Sequence, residues 1–337
     1  MSFKDIYGQE RQIAILQKTI MKGRIPNAYL FHGMDGIGKK TTATALAKTL
    51  NCTEGKSDSC DTCGACRKID HGNHADLVII QPQGILIKIE EIRKLQDQAK
   101  YRPFEGKKRV FIIDDAEKMN IYAANALLKI LEEPGPSNLL ILITSRPYVL
   151  PQTIASRCQK MRFSPLKREI VAAFLTERLA LDEEAALILA SSCEGSIGRA
   201  LTMRDDSYIA VKHDLIKRIA SSGRGTDHLQ LLSLAHELGG DRTDILEKID
   251  ILKSWYRDVL LFSEMKDHAI LIHPDCADMT KRFSENMTGP GILKSIKTMG
   301  NAYRAIEQNA NKQLTLESMM FKLASIRQKT AGNGLSV

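Results

Sequence analysis

Residues 27–50, NAYLFHGMDGIGKKTTATALAKTL, pass from a short apolar segment through a glycine-rich loop into a stretch of good helix formers. Few folds place those three things in that order. A buried strand, Ala28 to His32, feeds a loop whose backbone N–H groups, with the following helix N-terminus, surround an anion. Against the pattern G-x-x-x-x-G-K-[ST], Gly33, Gly38 and Lys39 fit, Gly36 lies between them, and Lys40 stands where a hydroxyl belongs. That hydroxyl normally holds Mg²⁺ between the outer phosphates, which a protonated lysine cannot do. Thr41 comes one place later, but one residue on a helix turns the side chain by about 100°. The loop reads as a site for ATP or ADP phosphates with weakened Mg²⁺ coordination.

The second nucleotide element of such a site is an apolar strand ending in acid. VFIIDDAEKM supplies it at Asp114 and Asp115. The first carboxylate organises hydrated Mg²⁺, and the next position, commonly glutamate, activates the attacking water. Asp115 is one methylene shorter, and a general base must stand within hydrogen-bond reach of its water. Glu117 offers either a substitute base or an ordinary helix-start carboxylate.

Compact apolar runs at Asp76 to Ile80, Arg109 to Asp114 and Leu139 to Thr144 suit strands covered on both faces. Helical segments at Ile89 to Lys100 and Ala123 to Glu133 separate them, so the alternation predicts a parallel α/β sheet. After MRFSPL the strand signal ends; three short helices are expected over 167–206, and further helices beyond. The expected division is an α/β domain over 1–166, a small helical domain over 167–206, a larger helical domain over 207–330 and a flexible tail at 331–337.

Cys52, Cys60, Cys63 and Cys66 are spaced C-x₇-C-x₂-C-x₂-C just after the first α/β helix. Four soft ligands so close together suit tetrahedral Zn²⁺ with every position closed, a structural site over 52–66. An iron–sulfur cluster or four unligated thiols are the alternatives. Cys158, Cys193 and Cys276 lie far apart in the chain and read as simple thiols.

MSFKDIYGQERQIAIL lacks the basic-then-apolar run of a signal peptide, and no apolar stretch reaches membrane-spanning length. A cytoplasmic protein without membrane contact is expected, where thiols or a metal site outrank disulfides. Lys plus Arg exceed Asp plus Glu by 48 to 40, which permits contact with nucleic acid without demanding it.

NAYLFHG, the four-cysteine insertion, YRPFEGKKRVFIIDDAEKM, AANALLKILEEPGPSNLLILITS, LPQTIASRCQ and GSIGRAL together resemble the bacterial clamp-loader subunits of the AAA+ class, over nearly the whole chain. NALLKILEEP followed at the family's spacing by SRC is specific; the glycine loop alone is not. The resemblance implies a P-loop NTPase-type parallel sheet carrying a zinc module, then a small helical lid and an all-α collar. Motor subunits of gamma or tau type carry the loop hydroxyl and a glutamate after the strand aspartate. Departures at Lys40 and Asp115 imply the stator of the ring, with little or no ATPase alone.

An arginine after a Pro-containing turn is ordinarily solvated or salt-bridged, but the resemblance implies that Arg157 of SRC acts in trans as an arginine finger. Thr144 matches the family's first sensor position and Arg199 its second. Implied partners are gamma or tau and delta subunits in a hetero-pentameric ring, the sliding clamp and primed DNA. Two other readings stand beside this one. The first is an active motor ATPase of gamma or tau type, and the second a stand-alone zinc-containing DNA-binding protein.

Overall fold

Alternate residues of the central strands point to opposite faces, and both faces are apolar, so these segments are stable only between two helical layers. In the computed structural model the strands are β1 (Ala28–His32), β2 (Leu77–Ile80), β3 (Arg109–Ile113), β4 (Asn138–Thr144) and β5 (Gln159–Arg162). All pair in parallel in the order β2-β3-β4-β1-β5. Helices α1 (Glu10–Met21), α2 (Lys39–Asn51), α3 (Gly64–Asp70), α4 (Ile89–Ala99), α5 (Ile121–Glu132) and α6 (Gln152–Ala155) fill the connections. Leu30, Phe111, Ile113, Leu140 and Leu142 pack with α4 and α5, while Tyr29, Phe31, Val110, Ile112 and Ile141 pack with α1 and α2.

The structure describes residues 1–82, 84, 86–135, 137–204, 206–221, 227–267 and 271–332, with backbone alone for 206, 207 and 329–332. From 333 on, the expected tail lies outside the described residues, whereas 331 and 332 belong to the last helix. Two compact units are present: Met1–Ala190 with Glu194–Arg199, and Ser191–Cys193 with Ala200–Val337. Past the sheet come α7 (Arg168–Leu179), α8 (Glu183–Ser192) and α9 (Ile197–Met203), the three short helices expected over 167–206.

The second unit is helical among its described residues: α10 (Asp206–Ser221), α11 (His228–Glu237), α12 (Arg242–Met265), α13 (Ala277–Ser284), α14 (Gly289–Glu307) and α15 (Lys312–Gly332). Helix α12 presents Ile245, Ile249, Leu252, Trp255 and Val259 at helical spacing to its core. Trp255 stacks on Phe283 at 4.7 Å and donates its ring N–H to Thr280 Oγ1. No helix among the described residues is long and apolar enough to cross a membrane.

Strand β5 was absent from the expected strands. It is an edge strand of Gln, Lys, Met and Arg in which only Met161 turns inward, so it carries no apolar run to read. At the sheet's other end, Asp76 closes the chain reversal before β3. Its carboxylate accepts the backbone N–H groups of Phe104, Glu105 and Gly106, and Arg109 donates to it through Nε and Nη2 at 3.0 and 2.9 Å. Burial pushes this carboxyl up, but the N–H donors and the guanidinium outweigh burial and hold its pKa at about 2. A depressed folded-state pKa means stability that is present above the ordinary carboxylate value and lost as pH falls toward 2. Asp76→Ala leaves the buried Arg109 with its carbonyl partners but without its carboxylate, and is expected to cost about 3 kcal/mol in denaturant titrations at neutral pH.

Candidate phosphate loop and thiolate site

Strand β1 ends against β4, with His32 beside Thr144, and the chain turns there into the glycine loop at the carboxyl edge of the sheet. Gly33 N–H donates to the Thr144 carbonyl at 3.2 Å, and the Thr144 hydroxyl accepts Arg146 N–H at 3.0 Å. Burial and the charges of Arg162, Lys160 and Lys39 push His32 below its ordinary pKa, which favours the neutral ring. Gly38, at φ 96°, begins α2. Gly36, at φ 72°, lies so close to α9 that a Cβ there would fall 2.3 Å from Ser196 Oγ and 2.8 Å from Gly198 Cα. Only glycine fits that position.

Every carbonyl from Gly33 to Gly38 accepts a bond from the protein. Lys39 Nζ donates to Gly33 and Met34 at 2.6 and 2.7 Å, Ser196 Oγ to Asp35, Gly198 N–H to Gly36, Gln9 Nε2 to Ile37, and Thr42 to Gly38. By contrast, none of the described hydrogen bonds starts from a backbone N–H of residues 34–41. The loop thus directs its carbonyls into the protein and keeps a run of amide donors at the start of α2, the polarity of an anion cradle.

The other predicted residues divide around this cradle. Lys40 Nζ lies 3.1 Å from Asp114 Oδ2, and Gln81 Nε2 donates to the same oxygen at 3.2 Å. Asp115 sits at φ 52° and pairs with Lys118 at 2.8 Å. Glu117 is 2 % exposed and accepts the N–H and hydroxyl of Ser145 through Oε1, so it splints the two strand ends together, while its Oε2 is buried without a hydrogen-bond partner among the described residues. Helix α9 rests on the loop through Ser196, and its Arg199 pairs with Glu194 at 2.7 Å. Arg157 stands apart from these groups at the end of α6. It is exposed, with Nη2 2.7 Å from Glu132 and Nη1 donating to the Thr153 carbonyl. Gln81, Glu132 and Ser196 were missed because each acts through a partner distant in sequence, and Glu194 because a lone glutamate five residues before Arg199 carries no motif.

Cys52, Cys60, Cys63 and Cys66 converge from the end of α2, the following loop and the start of α3. Cys52 to Cys63 is 4.0 Å, Cys60 to Cys66 is 3.9 Å, and all four sulfurs lie within 4.8 Å of one another. Four Zn–S bonds of about 2.3 Å in a tetrahedron place sulfurs about 3.8 Å apart, so the cluster fits a closed tetrathiolate. Backbone N–H groups of Gly55, Cys60 and Cys63 already point at the sulfurs of Cys52 and Cys60. Burial raises the Cys63 thiol, but hydrogen bonds with Thr53 and Cys66 prevail and bring it down to about 5.

A family model described as DNA polymerase III, delta subunit, matches residues 8–167, and one described as its C-terminal part matches residues 208–325. DNA polymerase III subunit delta' of Bacillus subtilis is 31% identical over 318 residues, covering 94% of this chain and 96% of that one. The tau subunit of the same organism is 27% identical over 355 residues, covering 98% of this chain but 63% of its own length. Among solved structures, a gamma subunit-related protein of DNA polymerase III from Thermotoga maritima is 20% identical, with a TM-score of 0.47 over 95% of this chain and 99% of that one.

Proposed function

We propose that this chain, which belongs to the DNA polymerase III delta' family of clamp-loader subunits, serves as the non-hydrolysing stator of the loader ring. The observation that carries the reading is the Lys40–Asp114 pair: the carboxylate that would organise a metal is held by an ammonium, and Asp115 is turned onto Lys118. Hydrolysis then belongs to neighbouring gamma or tau subunits. Arg157 is the side chain offered to them, because it is exposed and held by a surface carboxylate and one backbone carbonyl. In the ring its guanidinium leaves Glu132 for the charge that develops on the neighbour's transferring phosphate.

The glycine loop, with Gly33, Gly36, Gly38, Lys39 and Thr41, binds nucleotide phosphates without turning them over. Thr144 holds the loop to the sheet, and α9 with Arg199 is the part of the lid at 167–206 that senses the loop's state. The helices of 207–330 form the collar that joins this chain to gamma or tau and delta. Zinc fits the cluster and would be held by Cys52, Cys60, Cys63 and Cys66, where its role is to fold the module. The surplus of lysine and arginine favours a ring interior that faces the backbone of primed DNA while the sliding clamp is loaded.

The test is ATP turnover by the purified chain alone, expected to be indistinguishable from that of a Lys39→Ala variant. Appreciable Lys39-dependent turnover would overturn the stator reading in favour of a motor subunit. Clamp loading that proceeds equally well without this chain would remove it from the ring.

A further inference from the structure

The usual cofactor of a phosphate loop, Mg²⁺, does not fit the residues present. A metal bridging nucleotide phosphates needs a hydroxyl at the second helical position and a free strand-end carboxylate, and it binds at about 2.0–2.1 Å in a near-ideal octahedron. Here the second helical position is Lys40, and its ammonium lies 3.1 Å from Asp114 Oδ2. Gln81 Nε2 donates to the same oxygen at 3.2 Å. A divalent ion would have to displace both donors to reach Oδ2, and at either carboxylate oxygen it would stand beside the Lys40 ammonium, with no hydroxyl at that helical position to ligate it. Yet the anion cradle next to it is intact, with its carbonyls bonded into the protein and its amide donors uncommitted.

We infer that Lys40 replaces the metal, so that this loop takes a nucleoside di- or triphosphate in its metal-free form and discriminates against the Mg²⁺ complex. The inference rests on the proposed function only in treating the loop as a phosphate site. Lys39 and Lys40 supply the positive charge that the metal supplies elsewhere, and Asp114 fixes Lys40 at the outer phosphates. The ammonium offers no coordination site for a leaving or attacking oxygen, so binding is uncoupled from hydrolysis.

The experiment is equilibrium binding of the fluorescent N-methylanthraniloyl analogue of ADP to the full chain, in excess EDTA and in excess Mg²⁺. The wild type is expected to bind at least as tightly in EDTA as in Mg²⁺. Lys40→Thr restores the hydroxyl, frees Asp114 and inverts the preference, binding about tenfold more tightly with Mg²⁺. Lys40 is exposed, so this change leaves the fold intact. Adding Asp114→Asn to Lys40→Thr abolishes the regained metal effect, which separates ligation by Asp114 from bulk ionic effects. Wild-type binding that requires Mg²⁺ overturns the inference and leaves the phosphate-site reading standing. Absence of binding in both conditions, by a chain whose circular dichroism is that of folded protein, overturns both. ATP turnover and clamp-loading assays speak to the stator reading separately.

Discussion

With Arg157 as the proposed finger, a clamp loader reconstituted with Arg157→Ala in this chain is expected to hydrolyse ATP on the order of 10³-fold more slowly at the one motor site that the finger would serve. The reason is geometric. Arg157 stands exposed at the end of α6, and among the described residues its side chain is tied to the Thr153 carbonyl and to Glu132, itself half exposed. A surface pair of this kind is worth about 1 kcal/mol or less, so the guanidinium exchanges partners at little cost when a more concentrated negative charge arrives. For the same reason the substitution leaves melting of the isolated chain unchanged. Steady-state ATPase falls only by the share of that one site, so the decisive measurement is a single-turnover time course, in which one phase slows and the others keep their rates. Glu132→Ala provides the contrast: it removes the surface partner, spares the finger and leaves all phases as they were. Undiminished phases in the Arg157→Ala complex would remove the assignment.

The α/β half was legible because its information is local. Strands β1, β3 and β4 are unbroken apolar runs, and α2 follows its glycine loop directly, so their observed bounds agree with expectation to within about a residue. Strand β5 shows the limit. It is held in the sheet by backbone pairing to β1 and by one inward methionine, neither of which leaves a pattern in four residues. The candidate site divides in the same way. Gly33, Gly38, Lys39 and the four cysteines follow from spacing, because phosphate cradles and tetrathiolate sites are built from neighbours in sequence. What Lys40 does depends on Asp114, more than seventy positions later, and on Gln81, a residue with no motif of its own. The sequence exposes a missing hydroxyl; only the fold puts an ammonium on the orphaned carboxylate.

The four-cysteine module has the widest structural reach, and its disruption is expected to be felt beyond residues 52–66. Lys48 of α2 is fully buried and donates to Asp61 within the module and to Asp70 at the end of α3, the helix that carries Cys66. Lys107 Nζ holds the Cys52 carbonyl at 2.8 Å, and Phe3 N–H holds Asp58 at 3.0 Å. A tetrathiolate zinc contributes folding free energy on the order of 10 kcal/mol in small isolated domains, and a zinc held by this cluster would also fix the carboxylates that neutralise Lys48. With the metal gone, the loop between Cys52 and Cys60 loses its closure and Lys48 is left as a buried cation, a loss of about 3 kcal/mol or more. Since α2 begins at the phosphate loop, the damage runs along the helix to Lys39. Cys63→Ser, or exhaustive chelation, is therefore expected to reduce zinc from one atom per chain and to remove amide-exchange protection from α2 and α3, while the helices α11 to α15 keep theirs. The melting temperature of the first unit should fall by about 10 °C. Lys48→Met discriminates the two parts of the argument, because it cuts the tie to α2 while leaving all four sulfurs in place. It should keep its zinc, and its carboxylates lose a partner only at a half-exposed position, so its loss of protection is confined to α2. A chain purified without chelators that carries no zinc, or a metal-free chain that keeps full protection in α2, would overturn this account.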